Sequence, residues 1–318
     1  MKNVSESPLI APLLPLFSLR VARFRIEIAS AGPVHLFGAE PKFRGSLGYH
    51  LRRLCCPAPD FRKAECSVCT LYDNCLYVSL FTPETDFPVT GTCKKGIKQA
   101  VRPFVISLCP GQGRHLGILD ITLFGNAIPH AGIFAEAVIA AASSLSFRVR
   151  LISRMLPDGT SVKPGDESLQ DWVEAGLESG MKNPGKGTMR LCFATPVNIV
   201  EKGKPIVMSS ICFTVIIKAL VRRMRDLKRV YGSDPDMGKT VPELFSCAGA
   251  VEIMENRLEW SRRQRYSYQQ KQGVSLSGLF GNICFENVMP DFWIMLKAGE
   301  IVHLGKGITN GNGKILLE

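Results

Sequence analysis

The chain of 318 residues is 46% hydrophobic and carries 39 Lys and Arg against 28 Asp and Glu, a formal net charge of +11. That length and apolar share allow a sizeable core in two domains, and the cationic surplus points to nucleic acid or another anionic surface as partner. The apolar runs nearest to a membrane span, Ala135 to Leu145 and Ile211 to Val221, fall short of the roughly 20 residues required, so the chain reads as soluble with no membrane partner.

The run from Pro8 to Leu19 is apolar but broken by Pro8, Pro12 and Pro15 and lacks a small-residue cleavage site, which predicts an extended arm before a strand rather than a signal peptide. Without an export signal the compartment is the reducing cytoplasm. The eleven cysteines then read as buried thiols or metal ligands.

Alternation over Phe17 to Ala29 predicts a strand, and FRGSLGYHLRRL, Phe43 to Leu54, follows at helical spacing. Arg102 to Leu108 and His115 to Gly125 read as a hairpin about the turn CPGQGR. An alanine-rich helix follows Pro129, and Phe147 to Leu156 alternates again. The order is βαββαβ, the ferredoxin-like plan. Residues 157–187 carry Gly, Pro, Asp and Lys and read as a linker, with LQDWVEAGLE a possible short helix inside it. Beyond it the order recurs: a strand at TMRLCFATPVNI, a long helix ending in VRRMRDLKRVYG, strands at GAVEIMENRLEWS and LSGLFGNICFE, a helix at DFWIMLKAG and a closing strand KILLE. The expected architecture is α+β: tandem ferredoxin-like domains, residues 1–156 and 188–318, with a cysteine-rich insertion at 55–75 in the first and a glycine-rich loop at 305–313 in the second.

Cys66, Cys69 and Cys75, with Cys55 or Cys56 upstream, supply four thiolates to a short polar loop that cannot hold itself by apolar burial. Structural zinc is the expectation, with an iron–sulfur cluster as the other metal reading. GSDPDMGKT, Gly232 to Thr240, has one residue too many for a P-loop and follows a helix, so it is rejected as one. Gly305, Gly307, Gly311 and Gly313, interleaved with Lys306 and Lys314, form an array whose backbone allows close approach to a phosphate chain. Arg222 and Arg223 belong to a cationic helix end. Arg262, Arg263 and Arg265 surround Tyr266 and Tyr268 in a pattern suited to phosphate pairing and base stacking on RNA, against the plainer reading of a solvated face. Of five histidines, His50, beside Arg52 and Arg53, and His303, three residues before Lys306, are the acid/base candidates.

The words RYSYQQ (Arg265 to Gln270), LSGLFGNICF and LKAGEIVHLGKGITNGNGK, with FRGSLGYHLRRLCC, CSVC and CLYVSLF in the first half, resemble the repeat-associated RAMP superfamily. The C-terminal third resembles its CRISPR precursor-RNA-processing endoribonucleases, and the first half the family's cysteine-containing branch. Asn310 departs from the pattern, standing where an aromatic residue is expected. The resemblance implies a chain that binds CRISPR repeat RNA and cuts precursor crRNA by 2′-hydroxyl attack without a metal, leaving a 2′,3′-cyclic phosphate. It also implies a general base recruited near His50, RNA contacts from Arg44, Arg52 and Arg53 as well as the groups above, and partnership with other subunits of an effector complex. The rival readings are a non-catalytic RNA-binding subunit on the same fold and a metal-dependent enzyme using the cysteine site.

Overall fold

The computed structural model describes residues 4–32, 38–83, 100–157, 167–180, 187–234, 236, 238, 239, 241–267 and 272–318. The first half begins with α1 (Leu14–Phe17) and continues through β1 (Val21–Ser30), α2 (Glu40–Cys55), α3 (Leu76–Phe81), β2 (Phe104–Pro110), β3 (Leu116–Phe124), α4 (Ala131–Ser144) and β4 (Phe147–Met155). Its antiparallel sheet has the order β2-β3-β1-β4. Phe43, Leu47 and Leu51 recur every four residues on α2, which turns that face onto the sheet and against α4. The helix stops where Cys56 turns extended ahead of Pro57.

α5 (Leu169–Gly180) leads to β5 (Gly187–Val197), the small ribbon β6 (Val200–Glu201) and β7 (Lys204–Pro205), α6 (Phe213–Tyr231) and α7 (Pro242–Gly249). Then come β8 (Glu252–Ser261), β9 (Gln264–Ser267), β10 (Gln272–Ser275), β11 (Gly278–Val288), α8 (Pro290–Val302) and β12 (Ile315–Leu317). The second sheet, β12-β5-β11-β8, repeats the strand order of the first. β9 and β10 prolong the β8–β11 hairpin as a separate two-stranded arm. Both halves are therefore ferredoxin-like, as the strand and helix order predicts.

The N-terminal segment departs from the expected extended arm. It coils through 3-10 turns at Val4–Glu6 and Ala11–Leu13 into α1, and Val4, Ile10, Leu13, Leu16, Phe17 and Leu19 are buried in the core of the second half. Ser7 Oγ donates to Asp291 Oδ1 at the start of α8, tying the segment down. The expected linker also does more than connect, because α5 buries Leu169, Trp172, Val173 and Leu177 in that same core. The 20-residue helical stretch Gly125–Ser144, longer than the run read from sequence, is apolar and long enough to cross a membrane by length and composition. In the fold its Phe134, Ala137, Val138, Ala141 and Ala142 pack into the first core.

Candidate nucleic-acid interface

After α8 the chain reverses through a loop in which His303, Gly305, Gly307, Gly311 and Gly313 all take positive φ. The loop lies against α2 and β2 of the first half. Gly311, at φ +86°, packs so tightly on α2 that a Cβ there would stand 2.5 Å from Glu40 Cγ. Arg44 Nε donates to Thr309 Oγ1 at 3.2 Å, and Lys314 Nζ donates to Ser107 Oγ at 3.0 Å. Burial pushes the Glu40 carboxyl up, while Arg263 and Lys314 pull it back.

The loop's amides are largely committed inward. Those of Lys306, Asn310, Gly311, Asn312, Gly313 and Lys314 donate respectively to Asn198 O, Gly307 O, Ile308 O, Gly307 O, Pro196 O and Thr195 Oγ1. The four glycines thus shape a plug between the halves; those six N–H groups do not form the phosphate cradle expected from the array. Lys306 is exposed at its rim.

Beside the plug lies a cationic cluster. Arg44 sits 4.5 Å over the Phe81 ring, Arg52 lies 5.7 Å over Tyr77, and Tyr77 stacks on Phe81 with centroids 5.6 Å apart. Arg102 Nε donates to Phe81 O at 2.7 Å, and Arg265 reaches in from β9 with its Nε buried and unbonded. Burial, then the like charges of Arg102 and Arg265, push Arg44 down to about 9; burial also lowers Arg102 and Arg265. No carboxylate among the described residues contributes to any of these three shifts. Desolvated like charges without a carboxylate form a site that an anion would stabilise.

Residues 191–315 match the family described as CRISPR-associated endoribonuclease Cas6, and residues 18–154 match the AF_1859_N family, described as an N-terminal domain. A Thermus thermophilus Cas6 product complex superposes with a TM-score of 0.50 at 13% identity, over 94% of this chain and 99% of that one. The fold is shared with that Cas6 structure, and residues 191–315 are similar to the Cas6 family. A partial Cas6-RT-Cas1–Cas2 complex gives a TM-score of 0.54 at 13% identity, over 94% of this chain and 46% of that longer one. An uncharacterized protein of Archaeoglobus fulgidus is 24% identical over 287 residues, 86% of this chain and 89% of its own.

The fold holds the two candidate histidines apart in environment. His303 is 3% exposed, its Nδ1 donates to Asn312 O at 3.4 Å, and burial with Lys314 nearby pushes its pKa down to about 3. A ring so enclosed reads as structural, and the sequence expectation that it serves RNA chemistry does not fit its burial. His50 is half-buried on α2, edge-on to Tyr49 at 5.1 Å, with its pKa lowered by burial and then by Arg53. No hydrogen bond or ion pair joins His50, His303 and Lys306.

Arg223 also departs from its expected role. It is buried in α6, its Nε donates to Val302 O at 3.3 Å, and burial lowers it to about 10. Arg222 Nη2 donates to Val200 O at 3.4 Å. Arg53 and Arg262 are exposed, Arg263 stands between the arm and Glu40, and Tyr266 is 58% exposed on β9. Tyr268 lies outside the described residues. Arg102 and Tyr77 were missed by the sequence reading; an arginine just before a strand and a tyrosine in the CLYVSLF word carry no periodic signal that separates them from packing residues.

Cys55 ends α2, Cys56 caps it, Cys66 and Cys69 bracket a 3-10 turn, and Cys75 precedes α3. Among the described residues no group of three or more His, Cys, Asp or Glu side chains is already arranged to hold a metal ion.

Proposed function

We propose that this chain binds CRISPR repeat RNA in the cytoplasm and cuts precursor crRNA within each repeat, alongside other subunits of an effector complex. The observation that carries the reading is the junction cluster of Arg44, Arg52, Arg102 and Arg265 around Tyr77, where guanidiniums gather without a carboxylate beside an aromatic face. Phosphates would pair with the guanidiniums, and an unpaired base would stack on the exposed Tyr266 of the arm.

Cleavage in this reading needs no metal. His50 takes the proton of a ribose 2′-hydroxyl, the oxygen attacks the adjacent phosphorus, the bond to the 5′-oxygen breaks, and that oxygen leaves with the proton returned by the imidazolium. The products are a 2′,3′-cyclic phosphate and a 5′-hydroxyl. The lowered pKa keeps the imidazole in its proton-accepting form at neutral pH. Exposed Lys306 and the arginines are the groups that would offset charge on the phosphorane.

The second reading, an RNA-binding subunit without catalysis, is favoured by one observation. His50 lies edge-on to Tyr49, whose ring in turn packs on Phe61, and residues two apart on a helix, such as His50 and Arg52, do not face each other. Single-turnover assays with the cognate repeat RNA in EDTA separate the two. The cleavage reading expects His50→Ala to slow cutting by roughly 10²–10⁴ with binding retained. It expects Arg265→Ala to weaken binding and lower the salt slope by about 0.7. Wild-type protein that binds and never cuts establishes the second reading.

A further inference from the structure

The loop from Cys56 to Cys75 is the least self-sufficient part of the described fold. None of residues 56–75 is fully buried, and Val68 is 76% exposed. Two 3-10 turns, at Cys66–Val68 and Tyr72–Asn74, are its regular structure. Such a segment recovers too little apolar area to offset its ordering entropy and needs a cross-link. Five thiols face the same space: Cys55, Cys56, Cys66, Cys69 and Cys75 all line one cavity of about 360 Å³ between the loop and the C-terminal end of α2.

The five are not equivalent. Cys55 is the last residue of the helix and packs against the first hydrophobic core, where it behaves as a small apolar side chain. Cys56 leaves the helix in an extended conformation and belongs to the loop.

We propose that Cys56, Cys66, Cys69 and Cys75 bind one zinc ion as a closed tetrathiolate site, and that Cys55 is a packing residue outside it. Four thiolates around a divalent ion leave a net negative charge, and Arg52, on the cavity wall and bonded to Ala64 O, is placed to balance it. Because the thiols line a cavity, loading draws the loop inward. The ion then fastens α2 to α3, the two helices that present Arg44, Arg52 and Tyr77. The inference is independent of whether the chain cuts RNA.

Elemental analysis of the purified full chain is expected to give about one zinc per chain, retained in Cys55→Ala and lost in Cys56→Ala. Thiol alkylation of the wild type reads the same assignment without relying on a variant that folds. Cys69, exposed in this structure, should resist alkylation until a chelator removes the metal, with Cys56, Cys66 and Cys75 released alongside it and Cys55 unchanged. Zinc absent from the wild type, iron with visible absorbance in its place, or zinc lost from Cys55→Ala and kept by Cys56→Ala overturns the proposal.

Discussion

His303 ends α8 at φ +58° and ψ 168°, a region that is essentially glycine's and that any other residue holds at a cost. Its neighbours Lys314, Arg223 and Arg23 are all cations, so protonation would place a further charge in a buried positive region. The linkage follows in sign. The folded pKa, about 3, lies below the ordinary 6.5, so the unfolded chain binds a proton the folded chain refuses. The stability of the neutral form is fully present above pH 6.5 and drains away as pH falls toward 3, by up to about 1.4 kcal/mol per unit. Between pH 7 and 5 this group alone is expected to remove about 2 kcal/mol. His303→Asn, which carries no titrating ring, should lose less stability over that interval in urea unfolding, while its RNA cleavage matches the wild type. An unchanged pH profile would show that the ring titrates in the fold and is not enclosed as described.

At the scale of elements, the glycine loop and α2 are locked face to face, and the test is steric. Gly311→Ala forces a Cβ against the Glu40 side chain and adds a side chain at φ +86°. Overpacking and left-handed strain together are expected to cost roughly 2–4 kcal/mol. Because Thr309 moves with the loop, Arg44 loses a hydrogen-bond partner and RNA affinity should fall as well. Gly132→Ala is the control: it is exposed on α4 with open space at its Cβ position and should gain up to about 1 kcal/mol. Equal melting temperatures for the two variants would refute the tight contact. The elements themselves were legible, since strand alternation and the 3.6 period give both βαββαβ sets within a few residues of their observed ends. Part of the site was legible too, and part was misread for a visible reason. Arg223 lies seven residues after Ile216 and four before Leu227, on the buried face of α6, so helical spacing assigns it to the interior even though its neighbours in sequence are basic. The union of Arg102 with Arg44 and Arg265 could not be read that way, because it depends on the β9–β10 arm crossing to the first half, a tertiary contact with no sequence period.

The whole molecule departs furthest from a pair of beads on a linker. The larger core takes Ile10, Leu13, Leu16, Phe17 and Leu19 from the N-terminal segment, Trp172 and Val173 from α5, and Val21, Val105 and Phe124 from the first sheet. Trp172 Nε1 donates to Val21 O at 3.3 Å, and Tyr231 Oη at the end of α6 donates to Val101 O at 2.7 Å, so both halves share polar ties as well. The two halves are therefore expected to unfold as one unit. Phe17 is fully buried, and Phe17→Ala should cost about 3–5 kcal/mol, a large part of the ~5–15 kcal/mol that stabilises a typical fold. Although Phe17 precedes the first strand, its loss should lower one common transition seen by both the fluorescence of Trp172, Trp260 and Trp293, all at the larger core, and far-ultraviolet circular dichroism of the entire chain. Phe134→Ala, a truncation in the other core, should lower that same transition. Two separate transitions, with Phe17→Ala moving one and Phe134→Ala the other, would mean that the halves fold independently and that the contacts between them are adhesion between finished domains.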